Sequence, residues 1–189
     1  MSGLSILWQQ AKRRARGHLN RAGRDERGFT AIEFGMVALP FLMLLFGNIA
    51  VGLYFFTTFT LENAVEDAAR LIRTGQAQES GMTAEQFKQK VCENAPRYVD
   101  CNGKMRINVQ TYTGFGSIAT PSCIDNGGEL IKPESQTYNS GGAGDVVLVT
   151  VCYEWELTGK IPFLHLGTMD NGSSLIVAST TFRTEPYAD

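Results

Sequence analysis

FGMVALPFLMLLFGNIAVGLYFF, residues 34–56, carries no charge over 23 positions, and Asn48 is its only strongly polar side chain. At ~1.5 Å per residue it spans ~35 Å, against ~30 Å of bilayer hydrocarbon, so it crosses a membrane with some tilt. A buried soluble helix is seldom apolar all round over this length. The run is too long for the apolar core of a cleaved secretory signal, and no small-residue cleavage site follows it directly. Residues 1–28 hold Lys12, Arg13, Arg14, Arg16, Arg21, Arg24 and Arg27 against Asp25 and Glu26, a net of +5. Residues 29–189 carry a net of −7. Basic flanks stay in the cytoplasm, so the head is expected inside and the chain beyond about Thr60 outside. Tyr54, Phe55, Phe56 and Phe59 mark the expected outer interface.

Working outward, the run is preceded by Arg24-Asp25-Glu26-Arg27-Gly28-Phe29-Thr30-Ala31-Ile32-Glu33-Phe34. A basic tract meets a small residue, and the apolar segment that opens is interrupted by one carboxylate, Glu33. A carboxylate at mid-membrane costs about 2.5–3.5 kcal/mol on insertion scales, and less near an edge. An acid in the first turns of a helix also complements its dipole. Within the run, Pro40 removes a backbone hydrogen bond, and Gly35, Gly47 and Gly52 would let another helix approach.

This junction, with the later Asp67-Ala68-Ala69-Arg70-Leu71-Ile72-Arg73-Thr74-Gly75-Gln76-Ala77, resembles the TadE-like pseudopilins of the tight-adherence (Flp) pilus system, within the type IV pilin superfamily. The likeness covers residues 27–78. It implies cleavage between Gly28 and Phe29 by a prepilin peptidase, and a role for Glu33 in assembly and in the axial register of stacked helices. It implies a place in the bacterial inner membrane, with the C-terminal domain in the periplasm or carried into a surface pilus. The expected partners are the lipid bilayer, the prepilin peptidase, other pilins or pseudopilins and the pilus assembly membrane proteins. Flp-type sites commonly carry Tyr after the Glu, and here Phe34 stands there.

Beyond the span, Leu61, Ala64, Val65, Ala68, Ala69, Leu71 and Ile72 recur at helical spacing, so the rod is expected to continue to about Arg73 and stop at Gly75. Thr83 is placed to cap a second helix over residues 84–95, ended by Pro96. Met105, Ile107 and Val109 alternate with Arg106, Asn108 and Gln110, the pattern of a half-buried strand. Residues 114–144 form a long Gly/Ser/Pro/Asn-rich loop, residues 145–157 and 174–183 are further strands, and turn residues surround Pro162. The expected fold is α+β: a leader over 1–28, a transmembrane helix over 29–59, and a domain over 60–189 with a small antiparallel sheet packed on the extended helix.

Cys92, Cys101, Cys123 and Cys152 all lie beyond the span, where an oxidising compartment would pair them. Free buried thiols and a zinc site are the other readings, and zinc ligands usually come in closer pairs. Four cysteines allow three pairings, and sequence does not choose among them. A local argument favours Cys92–Cys101, stapling helix to strand, and Cys123–Cys152, tying the loop to the central strand.

No enzyme, cofactor or metal site is expected. His18 and His165 have no convincing catalytic neighbours, and Gly114-Phe115-Gly116 lacks the third glycine of a dinucleotide fingerprint. Gly127-Gly128 belongs to no phosphate loop, and Asn171-Gly172-Ser173 is only a tripeptide match to a glycosylation sequon. Lys12–Arg16 is explained by topology rather than by nucleic acid. Two function classes remain: a minor pilin or pseudopilin, and an unprocessed bitopic anchor holding a disulfide-bonded binding domain.

Overall fold

A computed structural model describes residues 26–157 and 167–186. The leader, with His18 and most of the basic tract, and the Pro162 turn with His165 lie outside the described residues. The chain divides into two compact units, Met1–Asn48 and Ile49–Asp189.

Helix α1, Glu26–Arg73, belongs to both units. It continues through Pro40. In the first unit its large apolar side chains stand exposed, among them Phe34, Leu39 and Phe46. One stretch of the helix is long and apolar enough to cross a membrane. Asn48, its strongly polar residue, donates from Nδ2 to the Leu44 carbonyl at 2.8 Å, so its amide is partly satisfied within the helix.

In the second unit the same helix changes character. Leu61, Ala64, Val65, Ala68, Ala69 and Ile72 are buried, a stripe at 3–4-residue spacing. Three alanines in that stripe let the helix lie close to the sheet. The sheet has three antiparallel strands in the order β1 (Met105–Tyr112), β2 (Val146–Trp155), β3 (Ser174–Arg183). Ile107 pairs with Val151, and Val151 with Ala178. Met105, Ile107, Val109, Val147, Val149, Val151, Ile176 and Ala178 share one core with the helix stripe.

The shorter helices arise from local chemistry. Helix α2 (Gln76–Glu79) follows Gly75, whose φ of 82° suits a residue without a Cβ. Helix α3 (Ala84–Asn94) begins with a capping box: the Gln86 amide donates to Thr83 Oγ1, and the Thr83 amide donates to Gln86 Oε1 at 2.8 Å. It ends at Ala95, just before Pro96. It contributes Phe87 and Val91, both fully buried, to the core. Helix α4 (Cys101–Lys104) is one turn, capped by Asp100 Oδ1.

The first strand keeps the expected half-buried alternation except at one outward position. Asn108 on the face of β1 away from the helix is only 6% exposed, and Leu148, Thr150 and Cys152 on the same face of β2 are buried too. The long loop reaches this face at Arg106 and Cys152. Arg106 Nε donates to the Ile131 carbonyl at 2.8 Å, and Cys123 is bonded to Cys152. The loop also closes the outer edge of β1. Val109 N–H donates to Thr137 O at 2.8 Å, and Asn139 N–H to Val109 O at 2.9 Å, as in a short parallel strand. An edge so occupied is shielded from pairing with other chains.

Candidate functional site

The Gly28–Phe29 bond lies within helix α1, near the beginning of the described residues. Phe29 is 65% exposed, and Glu33, one turn on, is also exposed. Glu33 has no ion pair among the described residues. Positions four apart share a helix face, so Glu33 stands on the side of the Phe29 nitrogen. Gly35 and Gly52 would place a Cβ in open space, so neither is demanded by the packing of this chain on itself.

The cysteines lie in the second unit. Cys92 on α3 is bonded to Cys101 at the start of α4, with Cα atoms 6.1 Å apart. Cys123 in the long loop is bonded to Cys152 in β2, with Cα atoms 5.8 Å apart. These are the two pairs favoured by the local argument. The first ties the end of α3 to the entry of β1. The second pins the loop onto the outer face of the sheet.

Several features that a sequence scan singles out have structural work. Asn171 Nδ2 donates to Glu154 Oε1 at 2.7 Å and Asn171 Oδ1 accepts from Ser173 N–H at 3.0 Å, so the sequon residues form a turn with Ser173 buried. Gly127 and Glu129 donate their amides to Asp125 Oδ1, which makes the Gly127-Gly128 segment a tight turn. Among the described residues no group of three His, Cys, Asp or Glu side chains is placed to hold a metal ion.

Sequence reasoning missed the contacts that seat the domain on the helix. The Tyr54 ring meets Trp155 edge-on at 5.4 Å between centroids, and the Thr57 hydroxyl lies 3.1 Å from the Tyr98 hydroxyl. Tyr54 signalled an interface by its type, yet nothing in its neighbourhood named Trp155. Lys104 pairs with Glu156 across the end of β2. The hydrogen bond that Lys104 Nζ donates to the Glu156 carboxylate raises the Lys104 pKa above its ordinary value, against a smaller opposing effect of burial.

No curated protein and no solved structure shows a significant match to this chain. Residues 28–70, from the glycine of the junction through most of the helix stripe that packs on the sheet, match the family model described as TadE-like protein, so over that segment the chain is similar to TadE-like proteins.

Proposed function

We propose that this protein is a minor pilin or pseudopilin of a Tad/Flp type IV pilus, taking part in filament assembly or priming and so in surface attachment. In this reading a prepilin peptidase cuts after Gly28 and removes the +5 head. The head lies in the cytoplasm, and the disulfide-bonded domain lies in the periplasm of a bacterial inner membrane. The supporting observation is that the family match opens at residue 28, at the glycine of the junction, and that the lone carboxylate Glu33 stands exposed one turn beyond Phe29.

The chemistry follows from that placement. Cleavage leaves a protonated amine at Phe29, at the edge of the hydrocarbon. In so poorly hydrated a place a carboxylate from this chain or a neighbour pairs with the amine far more strongly than in water. Removing one partner of such a pair costs about 3–5 kcal/mol, because the other charge stays buried and alone. Glu33 is the acid that does this, and it also fixes how far one helix is displaced along the next.

The test is piliation of strains carrying Glu33 variants at equal protein level. Glu33→Ala inserts and is cut, yet fails to support pili, and Glu33→Asp is partly defective because its shorter side chain reaches less far. Normal piliation with Glu33→Ala refutes the role and returns the chain to the alternative, an unprocessed anchor with a binding domain.

A further inference from the structure

Helix α1 carries its domain before the apolar run has ended. Ala50 is 3% exposed, although the run continues to Phe56. Tyr54 packs against Trp155, and Thr57 is fully buried, with its hydroxyl donating to Leu53 O at 2.7 Å. From Ala50 to Thr57 the helix rises ~10 Å, more than the ~5–7 Å of one headgroup layer. A domain packed along that stretch cannot stand clear of a bilayer that the same helix crosses.

The strand register shows which part of the domain this is. Met105, Tyr153, Trp155 and Ser174 lie at one end of the sheet, the end where Tyr54 meets Trp155. Tyr112, Val146 and Arg183 lie at the other, where the Glu185 amide donates to Arg73 O at 2.8 Å. The turn between α3 and α4 is at the first end, because Tyr98 reaches Thr57. Its exposed side chains have the chemistry of a membrane interface. The Tyr98 ring is 53% exposed with its hydroxyl held on the helix, and Arg97 is exposed with no ion pair among the described residues. Phe55, Phe56 and Phe59 are each more than half exposed at the same level of α1. Aromatic rings collect at the headgroup layer, and a long basic side chain lays its stem on apolar surface while its charge reaches phosphate.

We propose that the Pro96–Val99 turn is a second membrane contact, with Tyr98 and Arg97 seated in the headgroup layer of the bilayer beside helix α1. The proposal rests on the reading of α1 as a membrane span. A single helix leaves a domain free to turn about the helix axis. A second point of contact fixes which face of the domain is presented to neighbouring subunits.

Nitroxide depth measurements on the full chain in vesicles of phosphatidylcholine and phosphatidylglycerol test it. Labels are placed singly through Arg97→Cys, Tyr98→Cys, Phe46→Cys in the apolar run and Glu79→Cys at the far end of the domain, with both native disulfides intact. Arg97 is exposed and has no ion pair among the described residues, so the label at 97 guards against a folding defect from loss of the Tyr98 hydroxyl. Labels at 97 and 98 that are more accessible to oxygen and less accessible to a water-soluble nickel chelate than the label at 79 support the contact. Values at 97 and 98 equal to those at 79, beside a lipid-immersed label at 46, overturn the contact and leave the span standing. A water-exposed label at 46 overturns the span and the contact together.

Discussion

Removing the two disulfides one at a time should cost unequal amounts, and the order follows from the rings they close. Cys123–Cys152 spans 29 residues and Cys92–Cys101 spans 9. Cross-linking restricts the unfolded chain roughly as a constant plus the logarithm of ring size, giving ~3.6 kcal/mol for the larger ring and ~2.6 kcal/mol for the smaller. Burial acts in the same direction, since Cys123 and Cys152 are 6% and 1% exposed while Cys92 and Cys101 are only partly buried. The larger ring also pins the loop to the outer face of β2 at Cys152. The perturbation is a pair of double variants, Cys92→Ala with Cys101→Ala and Cys123→Ala with Cys152→Ala, which leave no odd thiol to scramble the remaining bridge. The assay is urea unfolding of the full chain in detergent micelles, with Trp8→Phe as the common background so that fluorescence reports Trp155, which is 6% exposed when folded. The Cys123/Cys152 variant is expected to have the lower midpoint. Equal midpoints, or the reverse order, refute the reasoning that the loop tether is the stronger constraint.

Three further outcomes are expected. Thr83→Ala removes the hydroxyl that accepts the Gln86 amide at the start of α3 while leaving the Thr83 amide to donate to Gln86, and should cost ~1 kcal/mol in the same unfolding assay, within the usual range of ~0.5–2. Lys104 is held above its ordinary pKa of 10.5 by Glu156, so its contribution to stability is complete below 10.5 and is lost as pH rises from there through the raised folded value. Lys104→Gln should therefore flatten that alkaline decline, which urea midpoints across the range would show. Gly28→Leu should leave the protein uncut, because a prepilin peptidase must accept a small residue before the scissile bond, and an immunoblot for the size shift reads this directly.

The elements most open to sequence reading were those whose pattern is long and local. The stripe Leu61 to Ile72, the cap at Thr83 and the third strand at Ser174–Arg183 each follow from periodicity or from a cap signature. The one-turn helices Gln76–Glu79 and Cys101–Lys104 did not, since four residues are too few to show a period. Alternation in β1 suggested a half-buried strand, and of its outward residues only Asn108 is buried. Arg106, whose charge argued for solvent, instead donates to a loop carbonyl. The contacts Tyr54–Trp155 and Thr57–Tyr98 join residues far apart in the chain, and no local pattern names such partners. The candidate site was legible because its chemistry is linear: a basic tract, a glycine and a carboxylate in fixed order need no tertiary structure to be recognised.

The processing of the Gly28–Phe29 bond carries the functional account, and the mass of the native N-terminal peptide tests it most directly. Protein isolated from cells assembling the pilus should yield an N-terminal peptide that begins at Phe29, with the basic residues 1–28 absent. A full-length chain beginning at Met1 in those same cells would contradict the account.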